Sequence, residues 1–354
     1  MQNTNPFEIN GDDIAQLNDT DLRNLIGMLC EADYSFSGLR VSGVRFGGHQ
    51  DAKDGGIDVM VENDIAPPDK SFVPRKISGF QVKKPSMPAS KIMEEMKPDG
   101  NLRPIIKKLI KLSGAYIIVS LGSTVTESAY DSRIKAMKKA VANEDGHENL
   151  KVDFLDQGCI ATWVRLHPSM ILWVRKRIGR EVQGWQPYGN WSKAPGGLEE
   201  EYIFDKKLRL FDGIRPKDEG VSVSEGLSSL REKLSVPTMS IRLAGLSGVG
   251  KTRLVQALFD DRIGTDALNP SLAFYTDMSD SPQPNPKTFA EQLSQTSKRA
   301  IIIVDNCPPE LHRKMTEVCT KSQSGISLLT VEYDVKDDIP EETQVFRLQT
   351  ARQA

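Results

Sequence analysis

At 354 residues the chain is longer than one hydrophobic core usually extends, so two domains are expected. Charged residues (27%) and aromatics (6%) suit a globular chain and exclude the disordered and fibrous classes, and no apolar run approaches the ~20 residues of a membrane span. The start Met1-Gln2-Asn3-Thr4-Asn5-Pro6 lacks the basic and apolar parts of a signal peptide, and the four scattered cysteines (Cys30, Cys159, Cys307, Cys319) have no CxxC spacing, which argues against zinc or disulfides and for a reducing cytoplasm.

Residues 1–18 carry little pattern. From Asp19 or Thr20, both good N-cap types, Leu22, Leu25, Ile26 and Leu29 follow at i, i+3, i+4, i+7, the stripe of a core-packing helix. Gly43, Gly47 and Gly48 mark turns ahead of His49 and Asp54. Gly55-Gly56-Ile57-Asp58-Val59-Met60-Val61-Glu62 then alternates, with Ile57, Val59 and Val61 on one face and Asp58, Met60 and Glu62 on the other. In Ile77-Ser78-Gly79-Phe80-Gln81-Val82-Lys83, Phe80 and Val82 lie opposite Gln81 and Lys83. If the two strands pair, Asp58, Gln81 and Lys83 converge on one exposed patch.

That trio has a chemical logic. An Asp carboxylate is a hard ligand for Mg²⁺, and a Gln carbonyl or the adjacent backbone can extend the coordination sphere. A Lys two residues on can orient a water and balance charge on a phosphorane-like transition state. These are the parts of metal-assisted phosphodiester hydrolysis, and the competing reading is a solvated surface hairpin.

Pro85 and Pro88 end the strand. The spacing predicts a helix over 102–112 with Ile105, Ile106, Leu109 and Leu112 buried, a buried strand over 115–119, a helix over 129–141 carrying Tyr130, Ile134, Met137 and Val141, and a strand over 152–155. Trp163 and Trp173 fall in apolar helical patterns, where core packing is the default. Between Arg75 and Ala140 there are 14 Lys or Arg against 5 Asp or Glu, in a chain whose net charge is −2. A basic region beside the trio is what a double-stranded DNA backbone would want, although each lysine taken singly reads as a solvated helix face.

Gly56-Ile57-Asp58 followed by Gln81-Val82-Lys83 resembles the Asp…Gln-x-Lys variant of the PD-(D/E)xK nucleases, in the Mrr-like branch. The resemblance runs on through Gly114-Ala115-Tyr116-Ile117-Ile118-Val119-Ser120 to Gly184-Trp185-Gln186-Pro187-Tyr188-Gly189, over the first half of the chain, and is similar to nuclease domains fused to bacterial antiviral STAND NTPases of the Avs group. It implies a restriction-endonuclease-like mixed sheet flanked by helices over 1–183, with Asp58 and Gln81 as Mg²⁺ ligands and Lys83 as a catalytic residue. In such nucleases a carboxylate of the first helix can join the site, which makes Glu31 a candidate beside a capping or surface role. His49 is a further candidate for approaching the scissile phosphate.

Residues 184–236 read as a connector, rich in Pro and Gly at first and then in alternating charge. Next comes the second sharp signal, Ile241-Arg242-Leu243-Ala244-Gly245-Leu246-Ser247-Gly248-Val249-Gly250-Lys251-Thr252, an apolar strand running through G-x-x-x-x-G-K-T into a helical pattern. This is the context of a phosphate-binding P-loop: backbone amides and the helix N-terminus cradle phosphates, Lys251 reaches the β- and γ-phosphates of ATP, and Thr252 offers a hydroxyl to Mg²⁺. Ala300-Ile301-Ile302-Ile303-Val304-Asp305 has the form of a Walker B strand, with Asp305 on the Mg²⁺ shell. With strands over 271–275, 326–331 and 344–348, the residues from Ser240 on complete a five-stranded parallel α/β core.

This half resembles STAND NTPases of the NACHT and NB-ARC type, including Thr330 at the sensor-strand end. Two departures stand out. Asn306 follows Asp305 where many hydrolysing relatives carry a second acid, so hydrolysis is expected to be slow or to use Glu310 or another group. The sequence also stops before the lid, winged helix and repeat sensor of the resembling proteins, which makes it read as a truncated core or one completed by a partner. The resemblance implies an anti-phage effector in which a sensor absent from this chain recognises a phage protein. ATP-dependent homo-oligomerisation would then switch on Mg²⁺-dependent cutting of double-stranded DNA. Two alternatives stay open: a restriction or repair endonuclease with a motor-type NTPase, and a non-catalytic ATP-gated DNA-binding module.

Overall fold

The computed structural model describes residues 5–46, 56–68, 71–122, 124–188, 207–213, 220–264, 266–332 and 344–350; Gly47, Gly48, His49, Asp54 and Gly55 lie outside them. The chain forms two compact units.

One unit holds Glu8–His167 with Arg177–Gly179. Its elements are α1 (Gly11–Ala15), α2 (Asp19–Phe36), β1 (Val44–Phe46), β2 (Val59–Glu62), β3 (Ile77–Lys83), α3 (Ala89–Met96), α4 (Pro104–Lys111), β4 (Ala115–Ser120), α5 (Glu127–Val141), β5 (Lys151–Asp156) and α6 (Gln157–Leu166). They build a five-stranded mixed sheet in the order β1-β2-β3-β4-β5. The first three strands are antiparallel, and β3, β4 and β5 run parallel. All six residues of β4 are buried, as the β-branched run Ile117-Ile118-Val119 requires of a strand covered on both faces. Ile92, Met96, Ile106, Leu109, Met137 and Val141 of α3, α4 and α5 pack with Tyr116, Ile118, Val152 and Phe154 on one side of the sheet. On the other, Trp163 of α6 lies 6.1 Å from the Phe80 ring and donates its indole N–H to Asp33.

Three local expectations are corrected. The cap of α2 is Asn18, whose side chain accepts from Asp21 N, one residue before the expected start. The helix near 102–112 begins at Pro104 and buries Ile106, Leu109 and Ile110, while Leu112 is exposed, because Gly114 N–H turns back to Leu109 O and ends it early. Ile57 packs with Met60 rather than with Val59 and Val61, since the chain bends at Asp58 before β2 begins and the alternation starts only there.

The other unit holds Met1–Phe7, Pro168–Lys176 and Arg180–Ala354. Its elements are α7 (Pro168–Arg177), β6 (Trp185–Pro187), β7 (Leu208–Asp212), β8 (Val221–Ser222), α8 (Val223–Ser235), β9 (Ser240–Ala244), α9 (Lys251–Leu258), β10 (Ala273–Asp277), α10 (Pro286–Ser294), β11 (Ala300–Asp305), α11 (Pro309–Cys319), β12 (Ile326–Glu332) and β13 (Gln344–Thr350). Eight strands form one mixed sheet, β6-β10-β11-β12-β9-β13-β7-β8. Its centre is the expected run of five parallel strands, β10, β11, β12, β9 and β13. The edges are antiparallel and come from the stretch read as a connector: β6 pairs with β10, and β7 and β8 extend the sheet beyond β13. Trp185 explains the first of these. Its ring stacks on Phe289 at 3.5 Å and its N–H donates to Pro284 O, so a Pro/Gly-rich segment is anchored by one aromatic. Ile241, Leu243, Ile301, Ile303, Leu329 and Val331 pack against α8 and α9 on one face.

Candidate functional site

The first site forms where β2 enters the sheet. Gly56 has φ +92°, a left-handed backbone that favours glycine, and a Cβ there would crowd the end of the Arg103 side chain at 2.8–3.0 Å. The turn sets Asp58 against β3. Asp58 N–H donates to Phe80 O at 2.9 Å, and its carboxylate Oδ2 accepts from Val82 N at 2.7 Å and from Gln81 Nε2 at 2.8 Å. The carboxylate thus continues the strand ladder and fixes the amide beside it.

Gln81 is 4% exposed, not part of an open patch as the alternation alone suggested, because α4 packs over that side of β3. Its Oε1 is buried without a hydrogen-bond partner. A buried acceptor left in that state is costly unless something else satisfies it. Lys83, two residues on, reaches Glu95 of α3 at 3.2 Å, and Glu95 also holds Arg103 at 2.8 Å. Arg23 of α2 lies 3.4 Å from Asp58 Oδ1. Tyr116 of β4 completes the group: its buried hydroxyl has no hydrogen-bond partner, and burial, then Glu95, pushes its pKa well up. Burial likewise raises the Asp58 carboxyl, against the pull of Val82 N–H, Arg23 and Lys83.

Asp58 and Gln81 are therefore in direct contact, while Lys83 pairs with Glu95 and both charges act on the Asp58 carboxyl. Glu31 stands eight residues beyond Arg23, about 12 Å of helix rise, and the α2 side chain at Asp58 is Arg23. Arg23, Glu95, Arg103 and Tyr116 were missed by the sequence reading. The i, i+4 pair Ile92 and Met96 was the available sign of a helix presenting Glu95. Part of the basic cluster is neutralised, Lys107 by Glu144 and Lys108 by Glu62.

Among the described residues no group of three or more His, Cys, Asp or Glu gathers as a metal centre. The oxygen donors here are two carboxylates and one orphaned amide carbonyl. That set fits Mg²⁺, which takes one or two protein carboxylates and keeps waters and phosphate oxygens for the rest.

The second site is the loop between β9 and α9. Gly248 and Gly250 have φ of +79° and +96°, and Gly250 caps α9 in the left-handed region, leaving the first helical amides open. Lys251 Nζ donates to Gly245 O at 2.6 Å and Leu246 O at 2.9 Å; burial lowers its pKa and Asp305 opposes that. Thr252 Oγ1 donates to Asp305 Oδ2 at 3.0 Å, so the hydroxyl and the carboxylate already share a point where a hard cation fits. Tyr275 Oη reaches the same Oδ2 at 3.2 Å. Thr330 is fully buried and spends its hydroxyl on His312 Nδ1 at 2.7 Å, on the sheet face opposite Leu329 and Val331. Glu310 is exposed on the first turn of α11.

No protein-family model matches the chain, and no curated protein does. Among solved structures it is similar to one of C. elegans PCH-2, at 14% identity over 34% of this chain and 37% of that one, with a TM-score of 0.22. The chain thus spans little more than a third of that structure's length, and a likeness at this score fixes neither fold nor activity. No helix among the described residues is long and apolar enough to cross a membrane.

Proposed function

We propose that the chain is a Mg²⁺-dependent DNA endonuclease governed by a nucleotide switch, of the anti-phage type that its sequence resembles. The observation that carries the nuclease reading is Gln81: a buried side chain with one end on the Asp58 carboxylate and a carbonyl oxygen left unsatisfied. Asp58, the Gln81 carbonyl and Glu95 would hold the ion, which when bound supplies Lewis-acid stabilisation of the scissile phosphate and an acidified water. Lys83 orients the attacking water and offsets the developing negative charge. Arg23 and Arg103 give the pocket a cationic rim for the DNA backbone, with three cations against two carboxylates.

In the second unit, Gly245, Gly248 and Gly250 shape the loop that would take the phosphates of ATP. Lys251 would exchange its two carbonyl partners for β- and γ-phosphate oxygens, and Thr252 and Asp305 would hold the accompanying Mg²⁺. ATP-dependent self-assembly, triggered by a phage protein, would then bring nuclease units together. Cleavage of supercoiled plasmid with and without ATP and candidate phage proteins tests the coupling. Cutting that needs ATP and fails in Lys251→Ala supports it; cutting that proceeds unchanged without ATP and without assembly removes the switch.

A further inference from the structure

The nucleotide site has one unexplained feature, an amide where relatives of the Walker B type carry a second acid. Asn306 follows Asp305 with φ +52°, a left-handed backbone that turns its side chain onto the neighbouring strand. There its Nδ2 donates to both carboxylate oxygens of Asp277, at 2.9 and 3.0 Å. Asp277 ends β10 in direct register with Asp305 at the end of β11, so on parallel strands about 4.8 Å apart the two acids emerge on the same face. Tyr275, two residues earlier on β10, confirms the side by reaching Asp305 itself. Ser279 fixes Asp277 further, its N–H and hydroxyl both donating to Oδ1 at 2.8 and 2.7 Å. Burial would raise this carboxyl, but the Asn306 and Ser279 donors outweigh it and hold the group below its ordinary value.

We infer that Asp277 is the carboxylate that takes the proton from the attacking water in nucleoside triphosphate hydrolysis, and that Asn306 is the positioning residue that holds it. The inference rests on the P-loop reading above. In the step, a water O–H bond breaks and its proton passes to Asp277, while the water oxygen forms a bond to the γ-phosphorus. The bond from that phosphorus to the β–γ bridging oxygen breaks, its electron pair staying on ADP, and Asp277 returns the proton to solvent. The acid has in effect moved one strand sideways. An acid at 306 would stand at hydrogen-bond distance from Asp277 and beside Asp305, where like charges oppose one another; an amide there turns that repulsion into a hydrogen bond.

The test uses the full chain, Mg²⁺ and ATP, with binding followed by a fluorescent ATP analogue and hydrolysis by single-turnover phosphate release. Asp277→Asn is expected to bind within about threefold of the unsubstituted chain and to hydrolyse on the order of 10²-fold more slowly, the usual contribution of a positioned general base. Asn306→Asp is expected to lower the rate rather than repair it. A rate within tenfold of the original for Asp277→Asn, a parallel loss of binding, or an original chain that binds ATP without hydrolysing it overturns the inference and leaves nucleotide binding intact. If Asp277→Asn does not fold, Asn306→Ala removes the holder and keeps the acid; unchanged hydrolysis there also overturns it. If the original chain and Lys251→Ala bind ATP equally or not at all, the P-loop reading itself fails.

Discussion

Replacing Lys83 by Ala separates a catalytic lysine from a structural one. Lys83 is the last residue of β3, and its side chain, 32% exposed, meets Glu95 at 3.2 Å. Glu95 keeps Arg103 at 2.8 Å when Lys83 is lost, so no carboxylate is stranded. A pair this accessible contributes roughly 0–1 kcal/mol, which for a unit of this size is a melting shift of about 2–4 °C at most. Removing a donor that acts on transition-state charge costs far more, about 2.7–4 kcal/mol or 10²–10³ in rate. Lys83→Ala is therefore expected to melt within a few degrees of the original and to nick supercoiled plasmid at least about 10²-fold more slowly under single-turnover conditions. Lys83→Arg restores charge toward Glu95 but presents a planar fork in place of a compact ammonium, so it recovers stability before rate. Cleavage by Lys83→Ala at a third of the original rate or more would refute the role given to this amine.

Three further outcomes follow from the geometry. Gly27→Ala on α2 drives a methyl into the Phe46 ring of β1, and the overlap is expected to lower stability by about 1–3 kcal/mol, partly offset by alanine's helix preference, as read by urea unfolding. Tyr116→Phe removes a fully buried hydroxyl that has no partner, so it is expected to be neutral or to raise stability by up to about 1–2 kcal/mol in the same assay; a clear loss would mean that the hydroxyl is satisfied. Lys251→Ala is expected to weaken ATP binding by tenfold or more in a fluorescence titration while leaving the melting midpoint within a few degrees, because its partners are two loop carbonyls that water can serve.

The strands that carry both sites were legible because they are runs of β-branched residues with clear ends: β3 and β11 have the bounds that the sequence suggests. That Asp58 meets Gln81 was legible from the pairing of the two segments, but the bend at Asp58, not a period of two, lays its carboxylate against β3. What escaped depends on contacts distant in sequence. Glu95 meets Lys83 only through a contact between α3 and β3 that the sequence order does not show, and Arg23 lies off the apolar stripe of α2. Gln81 reads as exposed until α4 covers it. Residues 184–236 look like a linker because edge strands of two to five residues are held by partners far along the chain, as Trp185 is by Phe289. The sequence shows no second acid directly after Asp305, whereas strand register sets Asp277 of β10 beside it.

Everything on the nuclease side depends on Asp58 and Gln81 offering their oxygens to one divalent ion. The most direct measurement is cleavage of supercoiled plasmid by the full chain in Mg²⁺ and in EDTA, set beside Asp58→Asn, which retains the shape and one acceptor oxygen but not the charge. Cutting that requires Mg²⁺, stops in EDTA and falls by 10²-fold or more in Asp58→Asn is the expected result. Cutting that persists in EDTA, or that Asp58→Asn performs at the original rate, would contradict the account.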